Sequence, residues 1–140
     1  MSCDLTLGVI GVGNLGGALA EGSLSAGAVA RVVGFDVAQP RLAELRERLG
    51  PAFVAASVAE VASQSDMLVF AVKPHILPMA LAEVRPALPP ACPVVSVAAG
   101  VEIARIEREL PGDWPVIRAM PNLAMVVGES ATAICPNPFA

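Results

Sequence analysis

The sequence predicts a single α/β domain, with a doubly wound parallel sheet between two layers of helices. Short apolar runs alternate with helical patterns along the whole chain of 140 residues. The first apolar run, Leu5 to Ile10, ends at a glycine-rich turn, and a helical pattern begins directly after that turn. Strands and helices that alternate in this way form parallel sheets with right-handed crossovers. Ligands of such sheets bind beyond the carboxyl ends of the strands, so we expect the functional residues there.

The composition is that of a globular domain with a hydrophobic core. Hydrophobic residues make up 55% of the chain and charged residues 16%, which excludes a disordered segment. The formal net charge is −4 and the basic residues are scattered, so we expect no nucleic-acid partner. We also expect neither a membrane span nor a signal peptide, because no apolar run has the required length and flanks. Three widely spaced cysteines predict reduced thiols and no metal site, which favours a cytoplasmic protein.

The glycine-rich turn between Gly11 and Gly16 has the spacing G-x-G-x-x-G, which is typical of Rossmann-like dinucleotide-binding domains. Gly11 permits the tight turn, Gly13 lets the backbone approach a pyrophosphate, and Gly16 lets the helix pack closely on the strand. Asn14 and Leu15 begin the helix, whose N–H groups and dipole would face the diphosphate. A glycine turn without a ligand is the alternative, but the strand before it and the helix after it favour dinucleotide binding.

Asp36 closes the second apolar run, where the dinucleotide fingerprint places an acid that binds a ribose hydroxyl. A carboxylate at this position favours NADH, because it repels the 2′-phosphate of NADPH. Arg41 lies one step into the next predicted helix, where it would meet a 2′-phosphate or simply be solvated.

The first half of the chain predicts six elements, each with a local signal. Gly27 ends the first helix, Pro40 fits the first turn of the second, and Gly50 ends it. The elements are a strand from Leu5 to Ile10, a helix from Asn14 to Ala26, a strand from Arg31 to Asp36, a helix from Pro40 to Leu49, a short strand near Phe53 and Val54, and a short helix that begins with the capping box Ser57 to Glu60.

The second half continues the same alternation. A stiff proline-rich connector follows its first helix, and Pro111-Gly112 stops its second. The elements are a strand from Met67 to Val72, a helix from Ile76 to Val84, a strand from Val94 to Ala98, a helix from Glu102 to Leu110, a strand from Val116 to Met120, and a further strand or hairpin between Val126 and Cys135.

The later strand ends supply the remaining candidate site residues. Small side chains would let the backbone pass under a flat ring, and an amide would bind a ribose hydroxyl or a carboxamide. These candidates are Ala71, Val72, Lys73, Pro74, Ala98, Ala99, Gly100 and Asn122.

Each polar candidate has a structural alternative. Lys73 is a cation for cofactor phosphates or a substrate carboxylate and a weak catalytic candidate, or else a surface lysine that caps a strand. Asn122 is a ligand or a turn residue after Pro121, with nearly equal weight. We interpret His75 as structural or solvated.

Together these strand ends resemble the pyrroline-5-carboxylate reductase family. The matching stretches are GVGNLGGAL (11–19), FAVKP (70–74), VSVAAGV (95–101) and RAMPNLAMVVGESATAICPN (118–137). The resemblance implies reduction of the small molecule 1-pyrroline-5-carboxylate to L-proline, with NADP or alternatively NAD as the cofactor. Another NAD(P)-linked dehydrogenase and a non-catalytic nucleotide-binding module are the alternative functions.

Members of that family resemble one another in a Rossmann-like domain followed by a helical domain that dimerises and shapes the substrate pocket. Residues 1–140 are therefore expected to be the cofactor-binding half, with the helical domain outside this chain and little activity by itself. The resemblance also implies that the segment from Ala124 to Pro136 lies under the helical domain. We expect weak self-association through its apolar residues Met125, Val126, Val127, Ala131, Ala133 and Ile134.

Overall fold

Seven strands form one sheet at the centre of the molecule. The computed structural model describes residues 3–140, apart from the side chains of Leu123 and Val126. The strands are β1 (Thr6–Ile10), β2 (Arg31–Phe35), β3 (Phe53–Ala55), β4 (Met67–Phe70), β5 (Val94–Ser96), β6 (Val116–Met120) and β7 (Ala133–Pro136). Their order across the sheet is β3-β2-β1-β4-β5-β6-β7.

The helices connect successive strands, as the alternation predicts. They are α1 (Asn14–Ser25), α2 (Gln39–Leu49), α3 (Val58–Gln64), α4 (Leu77–Val84) and α5 (Ile103–Glu107). The Rossmann-like α/β fold is therefore confirmed. The predicted capping box of α3 is present, since Ser57 Oγ accepts from Glu60 N while the Glu60 carboxylate accepts from Ser57 N at 2.9 Å. None of the helices within residues 3–140 combines the length and the apolar character needed to cross a membrane.

The two faces of the sheet bury two separate apolar clusters. Alternate residues of a strand point to opposite faces, so neighbouring residues of β1 and β4 belong to different clusters. One cluster packs Ile10, Leu68 and Phe70 against α3, α4 and α5. The other packs Val9 and Val69 against α1 and α2. Because α1 and α2 connect only β1, β2 and β3, no α-helix of residues 3–140 lies over the other half of this sheet face.

An apolar groove of about 530 Å³ lies on that uncovered half of the sheet face. Its floor is formed by half-buried side chains that include Val95, Val97, Ile117 and Ala119, and α1 forms one wall. We call it the uncovered groove. Ile134 of β7 lines it and is 65% exposed.

The C-terminal segment contains the predicted further strand, β7, but over a shorter range than predicted. A strand or hairpin was expected between Val126 and Cys135, but residues Leu123–Val127 form a 3₁₀ turn that ends at Gly128 in the left-handed conformation. Only β7 is extended, and it pairs antiparallel with β6, so the sheet is not wholly parallel. The backbone reverses through Gly128, which brings a short return strand back along β6 instead of a crossover.

Several elements are shorter than predicted. For example, the fourth strand ends at Phe70 rather than Val72; Ala71 N still donates to Ile10 O at 2.8 Å, and the chain turns after that bond. The fifth helix spans Ile103–Glu107, with Glu102 as its extended N-cap.

Candidate functional site

The loop after β1 turns at the point where the strand order of the sheet reverses. Gly11 has a φ of +91°, and its N–H donates to Phe35 O at 2.8 Å. A Cβ on Gly11 would lie 2.6 Å from the carbonyl oxygen of Ala71, so no side chain fits there. Gly16 is equally constrained, because its Cβ would overlap Gly11 O and contact Ala71. The glycine loop, defined as residues 11–16, therefore packs directly on the end of β4.

Gly13 differs from Gly11 and Gly16 because no contact among the described residues excludes a side chain there. Its backbone is extended, with a φ of −66° and a ψ of −151°, and a Cβ at this position would meet none of the described atoms within 4 Å. Gly13 is exposed, and it opens towards solvent above the first turn of α1. A glycine at such a position fits the close approach of a bound pyrophosphate, which is the residue's place in the dinucleotide fingerprint.

The N-terminus of α1 presents backbone N–H groups beside Gly13. Gly13 is the N-cap residue, no side chain caps the helix, and the first turn contains no acidic residue. Asn14 is exposed and Leu15 is half-buried. The helix has 12 residues, so its dipole and its unpaired N–H groups favour an anion at this end.

Asp36 follows β2 and is fixed by two backbone donors. Its Oδ2 accepts from Val12 N at 3.0 Å, and its Oδ1 accepts from Ala38 N at 2.8 Å. Each carboxylate oxygen has further lone-pair capacity, so the half-buried group retains the ability to accept from a ribose hydroxyl. The carboxylate thus lies beside the glycine loop, in the position that the fingerprint predicts.

Arg41 lies across the glycine loop. Its Nε donates to Val12 O at 2.8 Å and its Nη2 to Gly13 O at 3.1 Å, while Nη1 pairs with Glu44 at 2.9 Å. The hydrogen bond and the charge of Arg41 lower the pKa of the Glu44 carboxyl. Arg41 was expected either to meet a 2′-phosphate or to be solvated. Instead, its guanidinium is bound to the protein's own backbone.

The end of β4 lies beside the loop, but its polar residues point outward. Ala71 and Val72 are half-buried and would contact a side chain on Gly11. Lys73 and His75 are exposed, together with the intervening proline Pro74. Lys73 O accepts from Ile76 N at 2.9 Å, so its backbone forms the turn into α4 while its side chain is accessible to a ligand.

The ends of β5 and β6 belong to the same edge of the sheet. Ala98 is buried and its N–H donates to Ser96 Oγ at 3.2 Å, whereas Ala99 and Gly100 are exposed. Asn122 follows β6, and its Oδ1 accepts from Ala124 N at 3.1 Å. The side-chain oxygen of Asn122 is thus used to cap the 3₁₀ turn, which is the structural alternative considered for it.

Two sets of contacts were not identified from the sequence, one at the glycine loop and one at the opposite, amino-terminal end of β6. The contacts of Arg41 with the loop carbonyls join residues that are 28 and 29 positions apart in the sequence. The one local indication of these contacts was Gly17, a glycine just after the fingerprint. Asn137 is buried, and its side chain bonds Val116 N, Trp114 O and Glu107. It anchors the C-terminal residues to β6.

The buried thiol of Cys92 is structural. Burial is the main cause that raises the pKa of Cys92 to about 11, so the thiol stays protonated at neutral pH. It packs in the same apolar cluster as α3 and α4, away from the glycine loop.

Proteins of known identity resemble this chain in sequence and in fold. A pyrroline-5-carboxylate reductase of Methanosarcina acetivorans is 36% identical over 133 residues, which is 94% of this chain and 49% of that protein. The structure of a pyrroline-5-carboxylate reductase from Coxiella burnetii superimposes with a TM-score of 0.88 at 26% identity, over 100% of this chain and 52% of that one. The NADP-bound pyrroline carboxylate reductase of Plasmodium falciparum gives a TM-score of 0.81 at 26% identity, over 96% and 48% of the two chains.

These similarities confirm the resemblance that the strand-end motifs indicate. The chain spans about half the length of the curated relatives that it matches. In addition, residues 6–100 match the sequence model of a family described as "NADP oxidoreductase coenzyme F420-dependent". Since this match includes more than half of the chain, the protein belongs to that family of NADP-dependent oxidoreductases.

Proposed function

We propose that this chain is the cofactor-binding half of an enzyme that reduces the C=N bond of 1-pyrroline-5-carboxylate to give L-proline. NADP(H) is the proposed cofactor, and NAD(H) is also usable. The observation that supports cofactor binding is Gly13, the N-cap of α1, where a Cβ would meet none of the described atoms within 4 Å and where room is left for a pyrophosphate. The substrate rests on the relatives, which are named as pyrroline-5-carboxylate reductases.

Different residues at this edge of the sheet bind different parts of the cofactor in this proposal. The glycine loop and the N–H groups of α1 hold the pyrophosphate, and Asp36 lies beside the adenosine ribose. Ala71, Val72 and Pro74 shape the wall at β4, and Lys73 supplies a cation for a phosphate or a substrate carboxylate. A bound reduced nicotinamide supplies the hydride, and the small residues 98–100 let the backbone lie close to its ring. Asn122 contributes its amide N–H groups at the same edge.

We propose that a second, helical domain supplies the remaining half of the active site. The relatives are about twice as long as this chain, which is long enough to include such a domain. Residues 1–140 hold the cofactor, and the helical domain together with a second protomer completes the substrate pocket. Orientation of hydride donor and acceptor requires both halves, so the chain alone is a weak catalyst. Its three cysteines are free thiols, which is consistent with a reducing, cytoplasmic setting.

A turnover assay tests this function. The chain would be assayed with 1-pyrroline-5-carboxylate and NADPH, alone and fused to the second half of the Methanosarcina acetivorans relative. We expect the fusion to turn over and the chain alone to be slower by roughly a hundredfold or more, since misplaced reactants lose this much rate. A folded fusion that binds NADPH but reduces no pyrroline carboxylate would contradict the substrate, and one that binds no dinucleotide would contradict the whole proposal.

The Gly13→Val substitution tests the phosphate cradle. The new side chain meets no protein atom at its Cβ, so the variant should fold, yet it occupies the space proposed for the pyrophosphate. Fluorescence titration should show NADPH affinity reduced by about a hundredfold or more, which corresponds to roughly 3 kcal/mol. Gly22→Val is the matched control, because Gly22 lies in α1 with equally open surroundings and away from the loop. Equal affinity in both variants would remove Gly13 from the site.

The Asp36→Asn substitution tests the contact with the adenosine ribose. Removal of the negative charge should shift the ratio of NADPH to NADH affinity towards NADPH by about tenfold, or roughly 1.4 kcal/mol. The ratio is the proper measure, because loss of the bond from Val12 N affects both cofactors alike. Asp66→Asn serves as the control, since Asp66 accepts from Thr6 N at the opposite end of β1. An unchanged ratio would show that Asp36 does not face the ribose.

We also propose that the isolated chain self-associates through β7 and the uncovered groove, with a second copy as the occupant. One edge of β7 pairs with β6, and its other edge is the end of the sheet. Exposed apolar side chains lie on β7 and on the 3₁₀ turn before it. Val127 is 73% exposed and Ile134 is 65% exposed. Ala131 and Ala133 are also exposed and Met125 is half-buried, while the side chain of Val126 lies outside the described part. An unpaired edge with apolar side chains favours pairing with another chain.

Light scattering over a concentration series measures this self-association. We expect the mean mass to rise above 14.3 kDa with concentration, and a charge introduced as Val127→Asp or Ile134→Lys should suppress the rise. Met79→Glu is the control, since Met79 is an exposed apolar residue on α4 at the other face. If the charged variants associate as the original chain does, the interface lies elsewhere on the surface.

A further inference from the structure

Arg41 connects the start of α2 to the glycine loop through two nitrogens, and its third nitrogen pairs within α2. Nε and Nη2 donate to the consecutive carbonyls of Val12 and Gly13, and Nη1 pairs with Glu44. The side chain is 21% exposed, so most of it is packed against the protein. Arginine presents its donors in a rigid planar fork, which suits two neighbouring carbonyl oxygens better than a flexible ammonium would.

The backbone of Val12 is therefore held at its N–H and at its carbonyl by two charged side chains. Val12 N donates to Asp36 and Val12 O accepts from Arg41, and the residue itself is fully buried. The carbonyl of Gly13 also accepts from Gly17 N at 2.8 Å, as the first bond of α1. Both loop carbonyls are thus occupied within the protein, and their negative oxygens are kept from a bound anion. The N–H groups of the first turn remain for the anion.

Gly17 lies directly against the guanidinium. A Cβ on Gly17 would overlap Arg41 Nη2 and would lie 3.3 Å from the carbonyl oxygen of Val12. Gly17 is buried inside α1, where glycine is a poor helix former and alanine would be favoured by local propensity. A glycine at this position leaves room for both the guanidinium and the Val12 carbonyl.

We propose that Arg41 is a positioning residue that holds the glycine loop in the shape that receives the pyrophosphate, and that it does not bind the 2′-phosphate. This inference rests on the proposed dinucleotide binding. It predicts that Arg41 acts on every cofactor that carries the pyrophosphate, whatever group its ribose bears. A 2′-phosphate ligand would instead act on NADPH alone.

The Arg41→Met substitution separates these two roles. Methionine keeps part of the apolar stem but donates no hydrogen bond. The dissociation constants of NADPH and NADH should both rise by about tenfold, with their ratio unchanged, and Arg41→Lys should recover part of the loss. Arg48→Met is the control, because Arg48 is an α2 arginine that pairs with Glu21 and Glu44 outside the loop. A loss confined to NADPH, or no loss for either cofactor, would overturn the proposal.

A double-mutant cycle with Gly17→Ala tests the same geometry without relying on cofactor. In the original chain, the added methyl displaces the guanidinium, so the melting temperature should fall. In the Arg41→Met background the space is vacated, and the same substitution should raise the melting temperature, because alanine favours the helix. If Gly17→Ala has equal effects in both backgrounds, the guanidinium does not lie against Gly17 beside the loop carbonyls, which would overturn the position that the proposal requires. Should the original chain bind neither cofactor, the proposed function fails, while this cycle still decides the position of Arg41.

Discussion

The contact between Gly11 and the carbonyl of Ala71 is the constraint on which the site depends. At this point the chain leaves β1 with a φ of +91°, and the backbone of the β4 end lies too close for any side chain. Gly16 extends the constraint, because the first turn of α1 packs on the backbone of Gly11 and on the side chain of Ala71. The loop is therefore braced against the sheet, and the start of α1 is fixed over the crevice where the strand order reverses. Under the proposed function, the other strand ends contribute to the same cofactor site because this contact fixes the start of α1 beside them.

Two residues of opposite charge also hold the glycine loop, from the side of α2. Asp36 and Arg41 flank the start of α2, and they bind the N–H and the carbonyl of Val12. Asp36 is also the proposed ribose ligand, so cofactor choice and loop shape share one side chain. A substitution made to alter selectivity at Asp36 therefore acts on the loop as well. This coupling explains why a ratio of affinities is more informative at this residue than either affinity alone.

Local signals in the sequence were sufficient for most of the framework. The apolar runs, the glycine spacing and the Ser57 capping box are each determined within a few residues, and the structure contains the corresponding elements. The contacts of Arg41 and Asn137 could not be derived in this way, because they depend on how distant segments fold together. Asn122 was ambiguous for a physical reason. An amide that suits a ribose hydroxyl suits a turn N–H equally well, and the structure uses its oxygen for the turn.

The uncovered groove illustrates a limit of the sequence pattern. Apolar strand residues predict that a face is buried, but they do not identify the element that buries it. Val95 and Ile117 alternate with Val94 and Val116, which are completely buried under the other layer of helices. Both sets are β-branched and apolar, as in strands covered on both faces. Within residues 3–140, helices cover one of the two faces of β5 and β6. The apolar pattern of these strands therefore indicates that a further layer buries the other face, which in the isolated chain is proposed to be a second copy.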